Sequence, residues 1–439
     1  MLSTTYLILF FTVIFVEIIR KKVNLLDFLT FFHLLFILFY VFPGFSLSKA
    51  GESSSNLFLD FQSNLQILIA IYLGYFLILI GFYSTSAIKF TKKIYIKQFS
   101  DKTILKISDF LMILAGISIL IYSAQYGGFM NAIAQSSAIR AGRVESGSLV
   151  LFRNFFEGAE YASYFLASVV IFSRKTKNNL ILYLKLILSI LLTLMTVLMK
   201  SSRASIIKYF IGFALAYIIY KKKIPWITLA VFVMIGLAVI LYGDPLFASL
   251  SSIPDGYDSF ATEFSQRLEA EANESTGNSS GYELVGEFDH PLQSLDTTFN
   301  NEYQFRWFSD FIFSFTSLLP SRLIPIETPK NLSNLNTFLS LGHNDWTRPP
   351  GLFAVGIYSM SWMGLVIVSF CYGWLGRFLQ TVIIKSQNNH AWISFLYVTI
   401  LNIWSEFINN GDPALVVRGN ALFFLIIIFI FSFSPQTSR

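Results

Sequence analysis

Three short segments combine residue types that could bind an anion or move a proton. The first is Lys200-Ser-Ser-Arg203-Ala-Ser205, with Lys208 one helical turn further on. Its small residues let a phosphate come close, and a helix beginning there would turn its positive end toward that phosphate. Arginine adds a planar fork that grips phosphate in two places and stays charged at any relevant pH. The second segment runs from Gly127 to Ser148 and is rich in glycine and serine. Its Arg140 and Arg143, three apart, would share one helix face as a phosphate or sugar clamp. The third is Gly342-His343-Asn-Asp345-Trp-Thr-Arg348-Pro-Pro-Gly351. It sets a group that titrates near neutrality beside a carboxylate and a guanidinium. His343 and Asp345 are therefore the catalytic candidates. Arg140, Arg143, Lys200, Arg203, Lys208, Arg322 and Arg348 are the binding candidates.

Each segment also has a plainer explanation. Lys200 and Arg203 could be a charged hairpin that snorkels to an interface. Arg143 could pair with Glu145 on a solvated helix, and the 342–351 stretch could be a Pro/Gly-rich turn. Arg153, Glu157 and Glu160 are spaced to pair with one another. His290 beside Asp289 is a weaker rival to His343, because no arginine adjoins it in sequence.

What must position these residues is a membrane. Of the 439 residues 54% are hydrophobic and only 13% charged, about half the charge of an average soluble chain. Mean hydropathy is +0.60. Apolar runs long enough to cross a bilayer fall near 3–19, 27–45, 64–84, 107–123, 156–173, 180–199, 204–220, 224–242, 352–376, 391–408 and 419–434, about eleven in all. The fold class expected is all-α and polytopic. Arg20-Lys21-Lys22 follows the first run rather than preceding it. That is the reverse of a cleaved signal peptide, so this reads as a retained span with its N-terminus outside.

The positive-inside rule supports the same layout. With residue 1 outside, the clusters at 20–22, 89–106, 174–177 and 221–223, together with Arg377, Lys385 and Arg439, all fall on the cytoplasmic side. The C-terminus is then inside. Basic residues on that side are mostly lysine, whereas those on the other side are mostly arginine. Topology needs only positive charge, so the arginines suggest an outward-facing site for a phosphate-bearing ligand. Three segments follow: spans over 1–242, a large outer loop over 243–350, and spans over 351–439. Within the loop, 305–320 suits an interfacial or re-entrant helix. Cys371, the single cysteine, excludes an intramolecular disulfide and a cysteine metal cluster. There is no Walker loop, GxSxG, HExxH or Cys/His metal spacing. No metal site, cofactor or nucleic-acid partner is expected.

These features resemble the Wzy-type polysaccharide repeat-unit polymerases of bacterial envelopes. The resemblance rests on the many spans, the arginine-bearing outer loop before the fifth, and the Ser202-Arg203-Ala204 turn. It rests also on the large outer loop with Leu318-Leu-Pro-Ser-Arg322-Leu-Ile-Pro325, then Gly351 and a span rich in small and aromatic residues. It implies an inner-membrane glycosyltransferase working at the periplasmic face on O-antigen or capsule units. Such an enzyme moves the growing glycan from undecaprenyl pyrophosphate onto a lipid-linked repeat unit, with a chain-length regulator as a further partner. The related O-antigen ligase and a lipid-linked oligosaccharide flippase are the alternatives.

Overall fold

The structure is a computed structural model, and it describes residues 2–22, 26–50, 61–94, 96–140, 149–172, 179–275, 286, 288–318, 331–343, 347–386 and 390–432. Among these residues every regular element is a helix. The reason is the solvent that the composition anticipates. In hydrocarbon no water is present to satisfy a backbone N–H or C=O, and a helix satisfies both internally.

Among the described residues eight helical runs are long and apolar enough to cross a membrane: α1 (Leu2–Ile19), α2 (Phe28–Lys49), α3 (Leu65–Phe90), α4 (Asp101–Ala124), α5 (Val150–Phe172), α6 (Leu180–Lys200), α7 (Arg203–Lys221) and, further along, Gly351–Ser386. Trp226–Val239 and Leu241–Asp255 make a ninth if the 53° bend between them lies within one span. We label the helix Trp226–Ser249 α8; it carries Pro245 inside it. It therefore runs beyond Tyr242, where the outer loop was expected to begin. Then follow α9 (Tyr257–Ser275), α10 (His290–Asn300), α11 (Leu332–Leu341), α12 (Gly351–Ser386), α13 (Trp392–Asn410), α14 (Pro413–Gly419) and α15 (Ala421–Ser432). The expected spans at 391–408 and 419–434 fall on α13 and α15, which are not among these eight runs; α15 has 12 residues. α13 is diluted by Asn402, Glu406 and Asn409, yet from Trp392 to Leu401 it is almost wholly buried. A helix shielded by protein does not need a lipid-grade surface. The described residues of the 305–320 stretch hold one short α-helical turn, Ser309–Phe313, and a 3-10 turn, Phe315–Leu318.

The chain divides into two compact units, Met1–Tyr95 with Ser279–Ile384 and Ile400–Gly419, and Ile96–Asn278 with Lys385–Thr399 and Asn420–Arg439. In the first, α12 is broken: Met360 (φ −161°) and Ser361 (φ 52°) leave helical geometry. A straight helix of this length would reach about 54 Å, well beyond a hydrocarbon core of about 30 Å. The break lets Gly364 lie against the Gly356 carbonyl, a contact that leaves no room for a Cβ. Two carbonyls freed there are capped from the preceding segment. Arg306 N donates to Tyr358 O at 3.0 Å, and Trp307 N donates to Ser359 O at 2.9 Å.

In the second unit α6 ends at Lys200, Ser201 takes a left-handed conformation (φ 48°), and α7 begins at Arg203. The tight hairpin read from the sequence is formed. Around it a core gathers Tyr122, Ile133, Phe156, Met199, Phe247 and Leu250.

Candidate functional site

In the first unit, the segments before α10, before α11 and before α12 converge on a buried polar network. Two glycines allow it. Gly411 (φ +64°) sits backbone to backbone on Gly351 (φ +74°), where a side chain on either would collide. That crossing delivers Asp412, 1% exposed, to the start of α11. Asp412 Oδ2 accepts from Ser333 N at 2.9 Å and Ser333 Oγ at 2.7 Å, while Oδ1 accepts from Ala414 N at 3.0 Å. One carboxylate thereby caps α14 and holds α11.

Asn336, fully buried on α11, uses both ends of its amide. Its Nδ2 donates to Ser294 Oγ and to Arg348 O, each at 2.9 Å, and its Oδ1 accepts from Tyr358 Oη at 2.9 Å. Thr337 Oγ1 accepts from Arg348 N at 2.6 Å, and Ser294 Oγ donates to Pro349 O at 3.2 Å. The backbone at Arg348–Pro349 is thus clamped by three side chains.

The Arg348 side chain is a different matter. It is half-buried, and among the described residues its guanidinium makes no hydrogen bond. The charge that acts on it is Asp289: burial pulls the guanidinium down from its ordinary value, and the carboxylate opposes that. Asp289 is itself buried and accepts from Gln293 Nε2 at 2.6 Å. Burial pushes its carboxyl up to about 6, against the pull of Gln293 and Arg348. A carboxyl raised by burial, in electrostatic range of a guanidinium that makes no hydrogen bond among the described residues, is a candidate for proton transfer next to a charged substrate.

Neighbouring histidines are less well placed. His290 Nε2 lies 3.2 Å from the Asn409 carbonyl, and its ring meets Phe39 edge-on at 5.9 Å. It is tied into the turn that carries Asp412. No arginine adjoins the 289–290 pair in sequence, yet the fold brings Arg348 within electrostatic range of Asp289. His343 is exposed on the turn after α11. Asp345, Arg143 and Arg322 lie outside the described residues, as does the Arg140 side chain.

The remaining candidates belong to the second unit. Lys200 Nζ pairs with Glu157 Oε1 at 3.1 Å, and Tyr161 Oη donates to Glu157 Oε2 at 3.1 Å. Glu157 is thus drawn to α6 rather than to Arg153 as its spacing suggested. Arg203 reaches Asp244 on α8 at 2.7 Å, lying across Gly243, where a Cβ would strike its Cδ. Lys208 follows one turn into α7. A groove of about 660 Å³ also runs along α9, lined by Ser252, Asp258, Ser259, Thr262, Glu263, Gln266 and Arg267. Its walls offer hydroxyls, carboxylates, an amide and a guanidinium.

Sequence reasoning missed Asp289, Asn336 and Asp412 as site residues. Gly411-Asp412-Pro413 was a readable helix-start signal. Asp289 had none, since its role depends on burial. Among the described residues no cluster of His, Cys, Asp or Glu could hold a metal ion. No family model, curated protein or solved structure matches the chain.

Proposed function

We propose that this chain is a polymerase of lipid-linked polysaccharide repeat units, of the Wzy type, in a bacterial inner membrane. The layout proposed is eleven spans, with residue 1 and the 243–350 segment on the periplasmic side and the C-terminus in the cytoplasm. The observation that carries the reading is Arg348 together with Asp289: the Arg348 backbone is held by Asn336 and Thr337, its guanidinium makes no hydrogen bond among the described residues, and burial pushes the Asp289 carboxyl up to about 6. In the reaction, Asp289 takes the proton from the acceptor sugar hydroxyl. The hydroxyl oxygen bonds to the anomeric carbon of the donor glycan, and the bond from that carbon to pyrophosphate breaks. Arg348 takes up the charge developing on the departing pyrophosphate, a stabilisation strongest where water is excluded. In the second unit, and as a separate proposal, the hydrophilic groove on α9 suits a polyhydroxylated chain and Lys200, Arg203 and Lys208 suit a pyrophosphate group. The donor and acceptor are both undecaprenyl-pyrophosphate-linked oligosaccharides, and no cofactor takes part.

The test is the glycan ladder of a deletion strain complemented with wild type, Arg348→Lys or Asp289→Asn. Wild type should restore long chains, and both variants should leave one or few units. Surface lipid bearing no attached repeat unit in the deletion strain would favour a ligase instead. The broken α12 favours a second reading, a lipid-linked oligosaccharide flippase, because discontinuous helices build the sites of many transporters. Loss of repeat units from the outer face in the deletion strain is the mark of that activity.

A further inference from the structure

The end of α12 that carries Arg377 lies in the first unit. Here α3 and α12 approach closely. A Cβ on Gly81 would strike the Phe370 carbonyl and Trp374 N, and Gly373 sits against the Ile78 carbonyl. This apposition sets the next residues of α3, Phe82 and Tyr83, opposite Arg377. The guanidinium lies 5.4 Å from the centre of the Phe82 ring and within electrostatic reach of Tyr83.

The cations of this region are not equally matched. Arg20 is held by Glu17 and Asp27 at 2.7 and 2.6 Å, and Lys22 by Glu17 at 2.7 Å. Among the described residues Arg377 has no carboxylate partner, and its Nε is buried without an acceptor. One turn on, Gln380 is 1% exposed. Its Oε1 accepts from Phe28 N at 3.2 Å, at the first residue of α2. Because a backbone N–H can only donate, that bond fixes the amide orientation and leaves Nε2 as a donor. This Nε2 is buried and has no acceptor among the described residues. Residues three apart share a helix face, so two orphaned donors, one of them charged, stand together. Such groups are expensive to leave unmade. The exposed Tyr83 hydroxyl, with no hydrogen bond of its own among the described residues, adds a third donor at the rim.

We propose that Arg377, Gln380 and Tyr83 form a binding site for a phosphate group, held by the Arg377 fork over the Phe82 ring and completed from beneath by the Gln380 amide. The occupant is the phosphate of an anionic lipid headgroup, since the site lies on a helix apolar enough to cross a membrane. A phosphodiester offers several acceptor oxygens on one atom, enough to meet the guanidinium fork and the amide together. The site is separate from Arg348 and Asp289 and does not depend on the reaction proposed for them.

The test uses the full chain purified in a neutral detergent and examined by native mass spectrometry. The probes are phosphatidylglycerol, phosphatidylcholine and inorganic phosphate. Phosphatidylglycerol should be retained at least about ten-fold more tightly than phosphatidylcholine, a difference of about 1.4 kcal/mol. Gln380→Glu keeps the acceptor for Phe28 N but removes the donor, and Arg377→Met removes the fork; each should abolish the preference. Inorganic phosphate displacing phosphatidylglycerol at equal concentration would overturn the lipid assignment while placing free phosphate in the same site. Equal retention of the two lipids by the wild type overturns the proposal, whatever the variants do. Unchanged preference in both variants overturns it as well.

Discussion

Replacing Asp289 by asparagine should make the protein more stable and less active at once. The magnitude follows from burial. The carboxyl is lifted from its ordinary 3.8 to about 6, and each tenfold change in proton affinity corresponds to about 1.4 kcal/mol. Above pH 6 the folded protein therefore carries a buried charge that costs roughly 3 kcal/mol relative to the unfolded chain. The sign is opposite to that of a salt-bridged carboxylate. The folded pKa is raised, so the cost is fully present above about pH 6 and relieved as pH falls toward 4. The substituted amide can still accept from Gln293 through its own carbonyl oxygen, so the cost disappears and little packing is lost. Thermal unfolding at pH 8 should thus give a midpoint at or above the wild-type value, and the difference should shrink to about a third at pH 4.5 and vanish only below the unfolded value of 3.8. Polymerisation should fall by about 10²–10⁴, the usual contribution of a general base. The wild-type rate should also decline below pH 6 as the carboxyl protonates. A variant that is less stable at pH 8 and still polymerises would refute the reasoning. Asp289 would then be no more than the counter-charge of Arg348.

Arg348→Lys keeps the charge and loses the fork, so the ladder should collapse while membrane protein level is unchanged. His343→Ala should leave a nearly normal ladder, because the residue stands exposed after α11; collapse to single units would restore His343 as the base. Asp244→Asn removes the charge of Arg203's 2.7 Å partner. If Arg203 serves a pyrophosphate, activity should survive that change but fall steeply in Arg203→Lys; equal tolerance of both would leave Arg203 a topology residue. Gly411→Ala should destabilise the first unit by more than about 1 kcal/mol, since a Cβ at positive φ also meets the Gly351 backbone. An unchanged unfolding midpoint would contradict that crossing.

The helical class and most span positions were legible because hydrocarbon demands long contiguous apolar runs, and composition reports them directly. The Lys200–Arg203 hairpin was legible for the same reason, as polar residues can interrupt such runs only at an end. The break in α12 was not. Gly356, Ser359, Ser361 and Gly364 surround the break, but small residues inside an apolar run do not by themselves mark an opening, and the freed carbonyls are capped by Arg306 and Trp307 from elsewhere. Nor was Asp289 legible, since spacing along the chain cannot show that Arg348 approaches it. Arg348 itself was found from its neighbours. Its clamp by Asn336, Thr337 and Ser294 depends on two glycine backbones meeting, which no local pattern encodes.

The most direct measurement places the purified full chain in vesicles with a lipid-linked repeat unit of the producing strain and follows glycan length by gel. The account predicts a ladder that lengthens with time, releases one undecaprenyl pyrophosphate per bond formed, and is lost in Arg348→Lys. Repeat units that cross the vesicle membrane without lengthening would contradict it and identify a flippase.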